Sequence, residues 1–394
     1  MPEAGIRPHG RHRQTVEYGV INAFSAREKG NPMWSTREEL EAALARAGLA
    51  EWSPRLAAAA RHTIILEPGP VEEGAGAPIG ASRVGGMPDL PAGVPWPWRP
   101  ALPAEGWKEQ PQHLQELFQE DISHEARPWP LSFVAQVDFA EIHAVGGLDG
   151  FPSSGRLLIF YDPLAALHWI ENKVSVSAIF VTDEVDHLGR RGFPVEFTTP
   201  GLAVLEREPR RFMLRPRRLT PKLLLLPPRA EHYGRDLLAL HGVPPLPPDS
   251  QAEDEAFKAY ARFWEHLAVA HPNTSSALQV GGIAVPWQGP VEADCVKYAD
   301  NDYWNHPIVK AHWDCVKKGG WPNIGEEARR AWDAFEARER ATHFARADKW
   351  QLVLQFDGDF VHEYGRDDRF YVCIRKSDLV ERRFDRCWTM SQCT

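Results

Sequence analysis

The hydrophobic and polar positions of this chain form one pattern twice. In each copy an apolar run ends in Gln-x-Asp, a loop follows, and an arginine begins a second apolar run. The residues that mark the copies are Gln136, Asp138 and Arg156 in the first and Gln355, Asp357 and Arg369 in the second. Side chains on a strand alternate between its two faces, so Gln and Asp leave each predicted strand on the same face.

A Val-Gly-Gly segment precedes each copy, at Val84 and at Val280. The same three features in the same order predict an α+β fold with mixed, mostly antiparallel sheets, an internal duplication and a few packing helices. The two halves would be residues 34–248 and 249–394, divided at a proline-rich segment at 244–248. We expect the halves to form one compact unit.

Further strands are predicted from short runs of apolar and β-branched residues, at 62–67, 175–181, 195–197 and 211–214. A Pro-Gly-Pro sequence at 68–70 would end the first of these strands. Residues 82–98 hold too many prolines for a helix or a central strand. The pair Gly85-Gly86 within this segment permits the close approach of another backbone.

Helical spacing of apolar residues predicts helices over 252–270 and 326–342. Nearer the start, Ser35 and Glu38 form a capping box ahead of a helix that ends at Gly48. These two capping residues stand three apart, which lets each side chain bond the backbone N–H of the other.

Three segments are predicted to lack regular structure. Residues 1–33 are polar and aperiodic, which is typical of a poorly ordered leader. Residues 101–128 are polar and form a predicted surface insertion. The tryptophan-rich stretch that runs from 287 to 321 is predicted to be rich in loops.

Composition narrows the class of protein. The net charge of −9 and the pI near 6.0 argue against a general nucleic-acid binder, which needs a basic face. Five cysteines without a C-x-x-C pair fit free thiols in a reducing cytosol. There is no apolar signal segment, and no apolar run approaches the length that crosses a bilayer. The sequence therefore predicts a cytoplasmic protein that binds neither nucleic acid nor membrane.

Four motifs together resemble a known family. They are Ser82-x-x-Gly-Gly-x-Pro-Asp-Leu-Pro91, Pro130-Leu-Ser-Phe-Val-Ala-Gln-Val-Asp138, Ser154-Gly-Arg-Leu-Leu-Ile-Phe-Tyr-Asp162 and Cys387-Trp-Thr-Met-Ser-Gln-Cys393. Over roughly residues 60–394 the chain resembles the YwqG-like family, a bacterial domain family of unknown function. The resemblance implies an α+β cytoplasmic domain, sometimes encoded near toxin–immunity genes.

The chain departs from the family pattern at two places. Tyr364-Gly-Arg-Asp-Asp368 stands where the family usually has an aromatic-Gly-Asp-x-Gly turn, so a glycine is missing. Gly282-Ile-Ala-Val-Pro286 stands where the family commonly carries Gly-Tyr/His-Pro. The turn before the last pair of strands can therefore differ from that of the family.

The two Gln-x-Asp motifs are the first candidate for a ligand site. If the copies pack together, Gln136, Asp138, Gln355 and Asp357 would meet and could bind a polar ligand or a cation. The alternative is structural, because such side chains also bond backbone groups where strands end. Arg156 and Arg369 could pair with the two aspartates, which needs no ligand.

Other candidate chemistry is weaker. His306 and His312 lie in one segment with Asp300, Asp302 and Cys315, but their spacing fits no standard zinc site, so no metal is predicted. A Gly-x-Ser-x-Gly motif, a phosphate loop and a dinucleotide fingerprint are all missing from the sequence. We therefore predict no cofactor and no catalytic set.

Clustered tryptophans suggest a partner surface, with Trp96, Trp98, Trp304 and Trp313 as its candidate residues. The alternative is that these rings hold loops in place. The function predicted first is a non-enzymatic protein-binding module, an immunity-type or regulatory protein that meets a partner such as a toxin. The second hypothesis is a small polar ligand binder or an uncharacterised enzyme with a site between the two copies.

Overall fold

The computed structural model describes residues 34, 36–72, 76–102, 123–162, 175–197, 212–229, 234–243, 251–270, 278–300, 303–319, 325–357 and 368–393. The predicted leader at 1–33 and the predicted boundary at 244–248 lie outside the described residues, as does most of the predicted insertion at 101–128. Residues Pro32–Thr394 form one compact unit.

An antiparallel sheet organises the described chain. The strands, in chain order, are β1 (Arg61–Val71), β2 (Arg83–Val84), β3 (Asp89–Pro91), β4 (Trp98–Arg99), β5 (Trp129–Pro130), β6 (Ser132–Asp138), β7 (Arg156–Tyr161), β8 (Val176–Val181), β9 (Leu188–Arg190), β10 (Arg217–Leu226), β11 (Gln279–Gly281), β12 (Trp350–Asp357), β13 (Asp368–Arg375) and β14 (Trp388–Cys393). Ten of them make one sheet in the order β14-β13-β12-β11-β1-β10-β2-β6-β7-β8. The pairs β3–β9 and β4–β5 form two small sheets.

Helices pack against this sheet. They are α1 (Arg37–Leu44), α2 (Ser53–Ala59), α3 (Phe139–Ala144), α4 (Gly234–Leu240), α5 (Gln251–Ala270), α6 (Val291–Cys295), α7 (Pro307–Gly319), α8 (Glu326–Arg346) and α9 (Lys376–Val380). The predicted α+β class with mostly antiparallel pairing is confirmed. None of the helices in the described stretches is both long and apolar enough to cross a membrane.

The centre of the large sheet is the long antiparallel pair of β1 and β10. The order β2-β6-β7-β8 continues outward from β10, and β11-β12-β13-β14 continues outward from β1. Corresponding residues also pair alike, since Asp138 lies opposite Arg156 and Asp357 lies opposite Arg369. The two Gln-x-Asp copies therefore hold matching places in the sheet, while an internal duplication stays a prediction.

β6 and β12 each contain a bulge. The register shifts between Phe133 and Ala135 in β6 and between Leu352 and Leu354 in β12. A bulge adds one residue to a strand and so reverses the alternation of side chains beyond it. The predicted unbroken alternation was wrong for this reason: Phe133 packs in a different core cluster from Ala135.

The core lies on both faces of the sheet. One cluster combines residues of β6, β7, β12 and β13, and the ring of Tyr161 in β7 lies 4.8 Å from that of Phe370 in β13. Since β7 and β13 are near opposite edges of the strand order, this contact requires the sheet to curl. A second cluster joins α1, α2 and α5 to the central strands β1 and β10.

Three predicted strand features were wrong. Residues 195–197 form a 3₁₀ turn, Val195–Phe197. Residues 212–214 lie outside any strand, and Arg211 lies outside the described residues. The Pro-Gly-Pro sequence at 68–70 lies inside β1, where a shift of register between Pro68 and Val71 accommodates it.

Helix predictions differ from the structure in two places. The cap of α1 is Thr36, whose side chain accepts the N–H of Glu39 at 3.2 Å, one residue later than predicted. The stretch 287–321 contains α6 and α7 rather than loops alone. The predicted helices at 252–270 and 326–342 are confirmed as α5 and α8.

The predicted close approach at Gly85-Gly86 is confirmed. Gly85 has a φ of +67°, and a Cβ on it would lie 2.4 Å from the carbonyl oxygen of Arg215. Gly282, in the second Val-Gly-Gly segment, has a φ of +72°, and a Cβ there would lie 1.9 Å from Thr63 Oγ1. Only glycine fits both the left-handed backbone and the short approach.

Candidate functional site

Gln136 belongs to a buried network around Asp89. Its Nε2 donates to Asp89 Oδ2 at 3.1 Å and to the Ala81 carbonyl at 3.0 Å, and its Oε1 accepts the Asp89 N–H at 3.1 Å. Asp89 also pairs with Arg83 at 2.9 Å and with Arg190 at 3.1 Å. Every polar atom of the Gln136 amide is therefore occupied by the protein itself.

Asp138 lies at the junction of β6 and α3. Its Oδ1 accepts the N–H of Ala140 at 2.9 Å, so it caps α3, and its Oδ2 lies 3.6 Å from Arg156 Nη2. Burial raises the pKa of the Asp138 carboxyl, and the Ala140 bond and the charge of Arg156 oppose that rise. A cap and an ion pair together account for this carboxylate without a ligand.

In the second copy, Arg369 Nε donates to Asp357 at 2.5 Å and Arg369 Nη1 donates to the Val285 carbonyl at 2.9 Å. Gln355 is fully buried, and its Oε1 accepts the Val285 N–H at 2.8 Å. Gln355 Nε2 has no hydrogen-bond partner in the described part of the chain. Val285 takes the position that Asp89 holds in the first copy, and its side chain offers no acceptor.

The structure therefore places the six predicted site residues in two separate networks. The predicted pairing of Arg156 with Asp138 and of Arg369 with Asp357 is confirmed. Four strands separate β6 from β12 in the sheet, and no hydrogen bond or ion pair joins the two networks among the described residues. Asp89 is the network residue that the sequence interpretation missed, although it stands inside the Gly-Gly-x-Pro-Asp motif.

The candidate tryptophans differ in exposure. Trp96 is buried, and its Nε1 donates to the Leu131 carbonyl at 2.9 Å, so it holds its loop. Trp98 and Trp313 are 45% and 39% exposed. The side chain of Trp304 lies outside the described residues.

The histidine segment forms no metal site in the described chain. Asp300 Oδ1 accepts a hydrogen bond from Arg375 Nη2 at 2.6 Å, and His306 Nδ1 accepts one from the Ile308 N–H at 3.2 Å. The His312 ring stacks on the Trp332 ring, with their centroids 3.7 Å apart. Nowhere in the described stretches do three His, Cys, Asp or Glu side chains group closely enough to hold a metal ion.

A cleft of about 640 Å³ opens at the end of the sheet where β1 and β12 begin and β11 ends. This volume is within the range of small-molecule sites, roughly 300–1,000 Å³. We call it the Glu292 cleft. Its titratable lining residues are Arg37, Arg61, His62, Asp149, His241, Glu292, Asp348 and Lys376.

Glu292 is the buried acid of this cleft. It lies in the first turn of α6 and is 6% exposed. Burial raises the pKa of its carboxyl to about 7, although bonds from the backbone N–H groups of Glu292 and Ala284 favour the ionised form. Its Oε2 is buried and has no hydrogen-bond partner in the described part of the chain.

His241 and Lys376 supply the other polar groups near Glu292. Burial, together with the charges of Arg61 and Lys376, lowers the pKa of His241 to about 4. His241 Nε2, like Glu292 Oε2, has no hydrogen-bond partner within the described residues. At neutral pH the cleft therefore presents a neutral imidazole and a half-protonated carboxyl beside an exposed ammonium.

The second large cavity of the described chain, about 530 Å³, lies between β8 and β14. Its charged lining residues Arg375, Asp385 and Arg386 each make an ion pair of 2.6 to 2.9 Å with a neighbour. Because these side chains already have ion-pair partners, they have fewer unoccupied hydrogen-bonding atoms to offer a ligand. The Glu292 cleft is the better candidate, since strongly perturbed groups in a cleft are typical of functional sites.

Sequence reasoning missed the Glu292 cleft because no local motif marks it. Its residues come from the start of β1, from the ends of α4 and α8, and from α6 and α9. Glu292 reads in sequence as an ordinary acid in a first helical turn. The glycine pair at Gly281-Gly282 was the one available signal, since Gly282 lines the cleft.

Comparison with known proteins gives a family and no activity. A family whose description is "Domain of unknown function (DUF1963)" matches residues 82–393. The match includes His241, Glu292 and Lys376, and it begins after Arg37 and Arg61. No curated protein matches the chain.

Proposed function

This chain belongs to the DUF1963 family, a domain of unknown function, and from that premise we propose that it binds a small polar ligand in the Glu292 cleft. The observation that carries the proposal is that two lining residues of this cleft, Glu292 and His241, each hold a buried polar atom, Oε2 and Nε2, without a hydrogen-bond partner in the described chain. A buried polar atom without a hydrogen bond costs about 1–3 kcal/mol. A ligand that bonds both atoms would recover that free energy.

The lining supports a ligand that is polar rather than purely apolar. Lys376 is exposed at the cleft and makes no ion pair within the described residues. Leu148, Ile283 and Phe344 supply apolar surface beside the charged groups. Convergent polar groups on a partly apolar wall are typical of sites that orient a small molecule.

The test is a thermal-shift screen of a chemically broad set of small metabolites. We expect at least one class of polar compound to raise the Tm of the wild type. Lys376→Met should reduce that shift without lowering the Tm of the free protein, because Lys376 is exposed. Glu255→Gln, on the exposed side of α5, is the matched control and should keep the shift. A screen without any shift, or shifts that both Lys376→Met and His241→Ala leave unchanged, would overturn the proposal.

We also propose partner binding as a second function, in the form predicted from the sequence: a cytoplasmic immunity-type or regulatory protein related to the YwqG-like family. The exposure of Trp98 and Trp313 supports it, since exposed tryptophans are enriched at interfaces. The test is co-purification from the native host. A partner that is retained by the wild type and lost from both Trp98→Ala and Trp313→Ala would support this function, and a partner retained by both variants would count against it.

A further inference from the structure

We propose that the ligand of the Glu292 cleft is a small oxyanion, a carboxylate or a phosphate, and that the Glu292 carboxyl carries a proton while the anion is bound. The inference rests on the proposed function and deepens it by naming the ligand class. It also couples binding to pH. The two parts depend on different groups of the cleft and can be tested separately.

Three cations, Arg37, Arg61 and Lys376, line the cleft, and all three are exposed. The charges of Arg61 and Lys376 both contribute to the lowered pKa of His241, which lines the same cleft. Burial lowers the pKa of Arg61, and the charge of Arg37 beside it adds to that effect. Two guanidinium groups that are held near each other favour an anion between or beside them.

The protein itself does not neutralise these cations. Arg61 Nη1 donates to the carbonyls of Ala58, Ala59 and Ala60, at 2.9 to 3.2 Å, and Arg37 Nη2 donates to Ala60 at 3.3 Å. Carbonyl bonds fix the guanidinium groups and leave their charge uncompensated. Asp149 and Asp348 also line the cleft and are exposed like the cations, but neither aspartate makes an ion pair within the described residues.

The protonation state of the Glu292 carboxyl determines how strongly the cleft can bind an anion. Ionised, it would place a buried negative charge against the ligand. Protonated, it would donate its O–H to an oxygen of the ligand and so satisfy the carboxyl oxygen that lacks a partner. Asp294, on the same helix, already disfavours ionisation of Glu292, whereas Lys376 favours it. A bound anion adds a second negative charge and shifts the balance to the carboxylic acid.

The proton balance is simple. Above the pKa of Glu292 in the free protein, one proton is taken from solvent for each anion bound, and no covalent bond changes. Affinity should therefore fall by about tenfold for each pH unit above that pKa. Below it, affinity should level off, because Glu292 is already protonated. His241, whose pKa is lowered to about 4, would add a further proton only at lower pH.

Isothermal titration calorimetry with sulfate, which stays fully ionised, tests both parts. We expect binding at about pH 6 and at least tenfold weaker binding at about pH 8.5. Two buffers of different ionisation enthalpy at the higher pH should report uptake of close to one proton. Acetate and methylphosphonate in parallel distinguish a carboxylate site from a phosphate site.

Two variants separate the parts of the inference. Glu292→Gln keeps a neutral hydrogen-bond donor, so sulfate should bind it without dependence on pH and without proton uptake. Lys376→Met should weaken sulfate at every pH and keep the pH dependence. If Glu292→Gln does not fold, the buffer comparison on the wild type still reports the proton.

The outcomes distinguish this inference from the function on which it rests. Neutral polar compounds that stabilise the protein while none of the three anions binds would overturn the oxyanion and leave the proposed function standing. Anion binding without proton uptake, or a pH dependence that survives in Glu292→Gln, would overturn the role of Glu292. Failure of every compound class would overturn both.

Discussion

Gln136 and Asp89 are joined by two hydrogen bonds of 3.1 Å, one from the glutamine amide to the aspartate carboxylate and one from the Asp89 N–H to the glutamine carbonyl. The same carboxylate accepts the Gly80 N–H at 2.8 Å and pairs with Arg83. One buried acid thus ties the Gly-Gly segment to the first Gln-x-Asp strand. Loss of this acid would leave the Arg83 guanidinium, which is 2% exposed, buried without its ion-pair partner.

Replacing Asp89 with alanine should destabilise the protein by about 3–5 kcal/mol, because Arg83 would stay buried without its partner. Urea unfolding measures the change, with Asp348→Ala as the control at an exposed aspartate. A loss below about 1 kcal/mol would show that Arg83 finds solvent or another acceptor and that the network is dispensable.

The Asp89 network should also appear in the pH dependence of stability. Burial alone would raise the pKa of Asp89, but the charge of Arg83 and the bonds from Arg190, Gly80 and Gln136 outweigh it and lower the pKa. A carboxyl with a lower pKa in the folded state stabilises the fold above its unfolded pKa, and that stability is lost as the pH falls through the folded pKa.

Asp89→Asn should therefore flatten the fall of the unfolding free energy between about pH 4 and about pH 2. Urea unfolding across that range measures the slope in both proteins. A slope identical to that of the wild type would assign the acid sensitivity to other carboxylates.

The two glutamines of the repeated motif should contribute differently to the free energy of unfolding. Gln136 takes part in three hydrogen bonds, whereas Gln355 takes part in one and buries an amide nitrogen that lacks a partner. Gln136→Leu should therefore cost about 2 kcal/mol more than Gln355→Leu. Paired denaturation curves test the difference, and equal losses would mean that Gln355 Nε2 is satisfied.

Gly282 and Gly242 make a matched pair for the cost of a side chain. Both have a positive φ, +72° and +76°, but a Cβ on Gly242 has nothing within 4 Å while one on Gly282 would meet Thr63. Gly242→Ala should cost about 1–2 kcal/mol from backbone strain alone. Gly282→Ala should cost at least about 2 kcal/mol more, from overpacking. Similar Tm values for the two variants would contradict the close approach of β11 to β1.

The thiols should react in two groups. Cys315 is exposed, whereas Cys295 and Cys373 are fully buried, and burial raises the pKa of Cys295. In a Cys387→Ser, Cys393→Ser background, a thiol reagent should modify Cys315 rapidly and Cys295 and Cys373 only after denaturant is added. Cys315→Ser should remove the fast phase, and a fast phase that persists would show that a buried thiol is accessible.

The parts of this structure that follow local patterns could be predicted, and the parts that depend on distant contacts could not. β6, β12 and their Arg partners follow from apolar runs with polar ends. β10 was missed because Pro221 interrupts its pattern, although that proline lies opposite Leu66 in the ladder. The bulges in β6 and β12 have no signal in the alternation that they disturb.

The candidate site shows the same division. Asp138 and Arg156 stand at fixed places on neighbouring strands, so their pairing could be anticipated. The perturbed pKa of Glu292 comes from burial under elements that are far apart in sequence, which no window of residues reveals. The same holds for His241, whose charge state depends on Arg61 and Lys376.

The position of β1 limits how the chain can be shortened. β1 ends at residue 71, ahead of the family match at 82–393, yet it pairs with β10 on one side and β11 on the other. A chain that began at residue 82 would break into two smaller sheets, each with a newly open edge where β1 had been. Open edges template aggregation. The span that defines the family is therefore smaller than the span that must be expressed to obtain a folded protein.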